Sequence, residues 1–151
     1  MQILRTLRRK LRVARSLSWQ DWGDLAQAWV MLLLVDIGLR TMPFLRLKSL
    51  LEKTHVGKIA GDPQQVILRF NRLVEIASHN HLYKITCLRQ ALVLQWLLRR
   101  RGLETDLKIG VRKEDDLLAA HAWVEYKGTF IGQSQGQLAR SHAVLDPRTQ
   151  P

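Results

Sequence analysis

The run of residues from Cys87 to Arg101 is the segment that most constrains the fold of this chain. It contains neither Gly nor Pro and is rich in Leu, Ala, Gln and Arg, which are all good helix formers. Gly102 follows three consecutive arginines, a pattern typical of a helix end, where cations meet the negative pole of the helix dipole. The sequence therefore predicts a helix over residues 87–101. Its apolar residues lie on nearly every side, which predicts a central and buried helix.

Cys87 is the only cysteine of the chain and stands at the predicted start of this helix. Thr86 precedes it and is predicted to cap the helix. The free backbone N–H groups and the positive end of the dipole then favour thiolate over thiol. A free cysteine in a leucine-rich helix is more often a small buried apolar residue. The position in the first turn is what makes Cys87 a candidate nucleophile.

An antiparallel meander is predicted after the helix. Residues 105–112 alternate between polar and apolar, as a half-buried strand does, and residues 113–116 form a polar loop. A second strand is predicted over residues 119–126, and a turn then leads into a third strand that begins at Thr129. A helix followed by such a meander belongs to the α+β class.

His121 lies in the second predicted strand, where it projects to the same side as Trp123 and Glu125. A helix packed on this sheet can bring Cys87 near His121, and a base beside a thiol activates it as a nucleophile. A histidine on a half-exposed strand can equally make one ordinary hydrogen bond. The residues alone leave both interpretations open.

Three segments together resemble a known family, namely residues 87–102, 107–112 and the block Ala-His-Ala-Trp-Val-Glu at 120–125. They resemble the lasso-peptide biosynthesis B2 proteins, which belong to the transglutaminase-like, papain-like cysteine protease superfamily. The resemblance covers residues 69–130, and residues 25–51 also resemble the helical N-terminal part of the stand-alone members. It implies an α+β fold with a transglutaminase-like (papain-like) core. In that core a central Cys-bearing helix packs on a small antiparallel sheet, preceded by an N-terminal helical segment.

The resemblance also implies a function. The B2 proteins are leader peptidases, which cut the leader from a ribosomally made precursor peptide so that a partner cyclase can form the macrolactam. A small leader-recognition protein presents the precursor to the peptidase. Carried over to this chain, the nucleophile is Cys87 and the general base is His121. Neither a metal nor another cofactor is expected.

The third catalytic member departs from the family pattern. The family usually supplies an aspartate on the strand after the histidine strand, but residues 129–138 contain no carboxylate. A three-residue turn at residues 126–128 would pair His121 with Gln133, whereas a two-residue turn would pair it with Ser134.

Gln133 is our first candidate for the third member, because an amide oxygen can accept a hydrogen bond from the imidazole and fix its tautomer. It cannot stabilise an imidazolium as a charge would. Asp146 is the alternative, and Glu125 would lie about 13 Å from His121 along an extended strand. The residues therefore also leave open a catalytically impaired or non-enzymatic basic module that binds peptide or nucleic acid, with Cys87 structural.

The net charge of +11 is concentrated near the N-terminus. Residues 1–58 carry eleven Lys and Arg against four acids, and residues 59–151 carry thirteen against nine. We predict a basic helical segment over 1–58 and a peptidase core over 59–151. The first fifteen residues hold six cations and no acid, so peripheral contact with an anionic membrane is one expectation. The chain shows no helix-turn-helix, glycine-rich loop or aromatic basic strand, which argues against nucleic acid.

Cysteine usage and hydropathy predict a cytoplasmic protein. A single cysteine excludes an internal disulfide and fits a reducing compartment. The strongest apolar run, residues 28–35, is far shorter than the roughly 20 residues that span a bilayer. Asp36 within the apolar pattern predicts a packed helix and not a lipid-facing one. This helix begins at Trp19 or Asp21 and ends at Thr41.

The histidines show no metal-ligand spacing. His79 and His81 are two residues apart in a polar stretch, and we interpret them as part of a solvated turn.

Overall fold

The computed structural model describes residues 17–114, 117–131 and 143–144. These residues form four helices and four strands. The helices are α1 (Trp19–Thr41), α2 (Phe44–Glu52), α3 (Pro63–His79) and α4 (Cys87–Arg100), and the strands are β1 (Asp106–Glu114), β2 (Leu117–Tyr126), β3 (Thr129–Ile131) and β4 (Ala143–Val144). The sheet is antiparallel with the order β3-β2-β1-β4.

The α+β class and the order of helix and meander are confirmed. The boundaries of the first hairpin differ from the prediction, because β1 continues to Glu114 and β2 already begins at Leu117. These two residues face each other in the ladder, so the pairing runs to the end of the hairpin. The residues at 113 and 114 therefore belong to the strand and not to the polar loop that the sequence predicts.

Helix α1 begins with a capping box. The Ser18 hydroxyl accepts from the backbone N–H of Asp21 at 3.2 Å, and the Asp21 carboxylate accepts from the backbone N–H of Ser18 at 2.8 Å. Arg69 of α3 donates to the same carboxylate at 2.6 Å. Burial acts to raise the pKa of Asp21, but the Ser18 N–H and the Arg69 guanidinium hold it below its ordinary value.

Two further carboxylates of α1 are buried and point inward. Asp24 accepts from Arg69 at 2.7 Å and from Arg101, which follows the end of α4. Asp36 forms ion pairs with Arg40 at 3.0 Å and with Arg89 of α4 at 2.6 Å.

Asp36 and Arg89 are close enough to form an ion pair, but their contact does not count as a hydrogen bond. The paired acids fix α1 against α3 and α4, which confirms the prediction that Asp36 belongs to a packed helix.

Helix α4 lies at the centre of the core. It packs against α1 and α3 on one side and against β2 on the other. Ala122 and Val124, which alternate with His121 and Trp123 along β2, belong to the same buried cluster as the helix residues. The buried residues of α4 are Ala91, Leu92, Val93, Leu94, Leu97 and Leu98. The predicted central, buried helix is thus confirmed, one residue shorter than expected at its C-terminal end.

The loop after α2 crosses the C-terminal end of α4 at very short range. The N–H of Gly57 donates to the carbonyl of Arg99 at 3.3 Å, and a Cβ at Gly57 would lie 1.8 Å from the carbonyl oxygen of Arg100. Gly102, with φ of 83°, ends the helix where a Cβ would lie 2.7 Å from the carbonyl oxygen of Gly57. Only glycine fits at this crossing.

The interpretation of His79 and His81 as part of a solvated turn is correct only for the exposure of His79, which is the last residue of α3. His79 is exposed, and its Nδ1 lies 2.7 Å from the Glu75 carbonyl oxygen. The ring of His81 instead stacks on Trp29 at 4.7 Å and tilts against Tyr83 at 5.0 Å. Within the described part of the chain, both ring nitrogens of His81 are buried without a hydrogen-bond partner. Aromatic packing outweighs hydration here, because α1 presents an indole to this loop.

Among the described residues, α1 is the one helix whose length and composition would allow it to cross a membrane. The core helix of a soluble protein passes the same test, and α1 is joined to α3 and α4 by buried ion pairs. The boundary between residues 58 and 59 stays a prediction, although helices on both sides of it share one core.

Candidate active site

Cys87 is the first residue of α4. Thr86 occupies the N-cap position with an extended backbone, but its side chain makes no capping hydrogen bond, contrary to the prediction. The first helical hydrogen bond runs from the N–H of Gln90 to the carbonyl of Thr86 at 3.1 Å. The N–H groups of a first helical turn have no acceptor within the helix, so they are available to a bound group. Cys87 itself is half-buried and packs against the core.

His121 lies on β2, where it faces Gly110 of β1 in the ladder. Its ring is 6.1 Å from that of Trp123, with an angle of 20° between the planes. The indole Nε1 of Trp123 donates to Glu125 at 2.9 Å. The predicted common side of these three residues is therefore confirmed, and Glu125 holds Trp123.

Cys87 and His121 line one cavity of about 160 Å³. Helix α3 forms one of its walls, α4 contributes the cysteine, and β2 contributes the histidine. The other lining residues are Asn71, Val74, Glu75, Gln90, Ala91, Leu94, Ala122, Trp123, Val124, Phe130 and Ile131. The fold thus brings together the two residues that the sequence singled out, across an interval of 34 positions.

Two polar residues of α3 that line this cavity are not among the site residues predicted from the sequence. The Asn71 amide donates to the carboxylate of Glu75 at 3.3 Å, one helical turn away. Their spacing of four residues does place both of them beside the buried face of α3, which includes Phe70 and Val74. That signal indicates the edge of a buried face, but it does not say what the edge borders.

A second cavity, of about 300 Å³, adjoins the first. It shares Asn71, Glu75, Phe130 and Ile131 with the cysteine cavity and extends between α3 and the β2–β3 hairpin. Its other lining residues are Gln64, Ile67, Leu68, Arg72, Tyr126 and Thr129. The larger cavity contains neither Cys87 nor His121, so both candidate catalytic residues lie in the smaller one.

The predicted third members, Gln133 and Asp146, lie outside the described residues. The hairpin between β2 and β3 nevertheless bears on Gln133, because Tyr126 pairs with Thr129. Lys127 and Gly128 both have positive φ, 50° and 76°, as a two-residue type I′ turn requires. The three-residue turn that would pair His121 with Gln133 is not the turn found.

Comparisons with known proteins give one match. No curated protein and no solved structure matches the chain significantly. Residues 29–145, which include both Cys87 and His121, match the family described as the Transglutaminase-like superfamily. This superfamily commonly contains cysteine peptidases or transglutaminases. With a cysteine-headed helix packed on an antiparallel sheet that carries the histidine, and with the match covering most of its length, the chain belongs to the transglutaminase-like superfamily.

Proposed function

We propose that this protein is a cysteine peptidase that removes the leader from a ribosomally made precursor peptide during lasso-peptide maturation. The observation that carries the proposal is the shared cavity of Cys87, at the N-terminus of α4, and His121 on β2. The B2 resemblance of residues 69–130 supports the choice of a leader peptide as substrate. The nucleophile is Cys87 and the general base is His121. Asp146 is the proposed third member, because the two-residue turn does not give the register that favours Gln133.

The proposed reaction uses the Cys87 and His121 side chains, one backbone N–H group and water. His121 takes the thiol proton, and the Cys87 sulfur attacks the scissile carbonyl carbon. The backbone N–H of Cys87 stabilises the oxyanion. The C–N bond then breaks, the imidazolium gives its proton to the leaving amine, and a thioester remains. Water, deprotonated by His121, hydrolyses the thioester and regenerates the thiol, releasing the leader as a carboxylic acid.

The adjoining cavity supports a peptide as the substrate. Its apolar walls include Ile67, Tyr126 and Ile131, while Arg72 and Glu75 supply charge at the same site. An apolar side chain next to the scissile bond can enter it while the backbone stays beside Cys87. A substitution in this cavity should therefore change KM for the peptide more than it changes kcat.

The first test is alkylation of Cys87 by iodoacetamide, followed by intact mass at about pH 6.5, well below the ordinary thiol range. We expect rapid labelling of the native protein and a rate about tenfold or more lower in His121→Ala, because the imidazole no longer takes the thiol proton. His79→Ala is the matched control, since that histidine is exposed and pairs with a helix carbonyl. Its labelling rate should equal that of the wild type.

The second test is incubation with candidate precursor peptides, with and without a leader-recognition protein, read by mass spectrometry. Peptidase activity gives a free leader whose mass includes one added water, and Cys87→Ser gives none. Products joined to an added amine would instead indicate transglutaminase-type transfer. If Cys87 resists alkylation in the folded protein and no peptide is cut with the recognition protein present, the non-enzymatic alternative with a structural cysteine is correct.

A further inference from the structure

Helix α1 has an unusual distribution of side chains. Its three acids, Asp21, Asp24 and Asp36, face inward and are held by arginines. Its outward side is apolar: from Trp22 to Ile37, every exposed position is an apolar residue or glycine. A surface helix normally has the opposite arrangement, with apolar residues inside and charges in water.

The outward apolar residues form one continuous stripe, which we call the outer stripe. Its members follow the helical spacing of three or four residues and are Trp19, Trp22, Ala26, Val30, Leu34 and Ile37. Trp19 is 91% exposed, and Val30, Leu34 and Ile37 are 48%, 52% and 48% exposed. An apolar stripe that runs along a helix of 23 residues marks an interaction surface.

The charge of the chain indicates what covers the outer stripe. In the described N-terminal part, Arg46, Lys53 and Lys58 are exposed. The acids between residues 17 and 60 are all in ion pairs: the three of α1 with arginines, and Glu52 with Lys48 at 3.3 Å. The sequence of residues 1–16, immediately before α1, adds six cations and no acid. An apolar stripe that directly follows a cationic segment, on a chain of net charge +11, matches an anionic bilayer.

We propose that the outer stripe docks α1 in the interface of an anionic lipid bilayer, with the helix parallel to the membrane plane. The buried ion pairs to α3 and α4 keep α1 in the fold, so the helix lies on the membrane and does not cross it. Exposed tryptophans at its N-terminal end suit the headgroup region. A second copy of the chain would bring like charges together, which disfavours self-association through this face.

The test is flotation of the full chain with vesicles of phosphatidylcholine alone and of phosphatidylcholine with phosphatidylglycerol. We expect flotation with the anionic vesicles and little with the neutral ones. The triple variant Val30→Gln, Leu34→Gln, Ile37→Gln should bind the anionic vesicles about tenfold more weakly. Glutamine is a good helix former, so these exposed changes should leave the fold intact by circular dichroism. Leu82→Gln, at a 75% exposed leucine between α3 and α4, is the control and should bind as the wild type does.

A measurement on the wild type requires no variant to fold. Vesicles of lipids brominated near the upper end of the acyl chain should quench tryptophan fluorescence, because Trp19 and Trp22 would lie at the boundary between headgroups and chains. Absence of flotation with anionic vesicles at low salt overturns the proposal. Undiminished binding of the triple variant also overturns the proposal, because it would mean that the cations alone cause the binding. A triple variant that changes the oligomeric state without changing lipid binding would identify the stripe as a protein interface instead, and also overturns it.

Discussion

Arg89 lies two positions after Cys87, and it forms an ion pair with an acid of another helix. It pairs with the buried Asp36 of α1 at 2.6 Å, and among the described residues its Nε is buried without a hydrogen-bond partner. Arg40 pairs with the same carboxylate from an exposed position. The two arginines therefore share one acid but differ in burial. Replacing each in turn compares the contribution of a buried ion pair to stability with that of a surface ion pair.

We predict that Arg89→Met lowers the free energy of unfolding by about 2–3 kcal/mol, because it leaves a buried carboxylate with only its exposed partner. Arg40→Met should cost less than about 1 kcal/mol. Urea denaturation of both variants checks this. Equal losses would mean that the burial of Arg89 adds nothing to the pair.

The lowered pKa of Asp21 predicts a loss of stability in acid. Because its folded-state pKa lies below the ordinary value of 3.8, its stabilisation is present above that pH and is lost as the pH falls through the lower folded value. Asp21→Asn should cost about 1 kcal/mol at neutral pH and progressively less below about pH 4. Urea denaturation of wild type and variant across this range measures the convergence. A difference that is independent of pH would contradict it.

At this scale, the sequence predicts the two residues with distinctive chemistry. Cys87 is unique and starts a helix, and His121 lies on a strand with a clear alternation. Asn71 and Glu75 were not predictable as part of the site, because their place in the cavity depends on how α3 packs against β3. A polar residue at the edge of a helix face looks the same in the sequence whether it borders a cavity or bulk water.

At the scale of single elements, the β2–β3 turn shows what local sequence cannot decide. Helix α4 was predicted to within one residue, since Thr86 and Gly102 mark both of its ends. The residues Tyr-Lys-Gly-Thr at 126–129 fit either a two-residue or a three-residue turn. The choice depends on the pairing of Val124 with Ile131, which buries both side chains. Register is thus set by burial on the sheet face, and the turn follows it.

Because Lys127 and Gly128 both have positive φ, substitutions at the two positions should act in opposite directions. Lys127→Asn should stabilise the protein by a few tenths of a kcal/mol, since asparagine favours this conformation. Gly128→Ala should destabilise it by about 1 kcal/mol, although a Cβ there meets no atom within 4 Å. Thermal denaturation checks both signs. A neutral Gly128→Ala would show that the turn is not type I′.

At the scale of the whole molecule, one backbone crossing joins the N-terminal helices to the end of α4. We predict that Gly57→Ala destabilises the protein by more than about 3 kcal/mol, because its Cβ would overlap the Arg100 carbonyl oxygen. Gly23→Ala is the matched control: it lies in α1 with open space around it and should stabilise by about 0.5–1 kcal/mol. Urea denaturation measures both. A tolerated Gly57→Ala would mean that the loop can move away from α4.

Two of the inward-facing acids of α1 lie before the residues that the family match covers. The family match begins at residue 29, inside α1, so a chain shortened to that match would lack Asp21 and Asp24. Arg69 and Arg101, whose guanidinium groups lie 5.2 and 5.0 Å from the ring centre of Phe70, would then face each other without counter-ions. We therefore expect a chain shortened to the family match to be less stable than the full chain, because it loses the ion pairs that join α1 to Arg69 and Arg101.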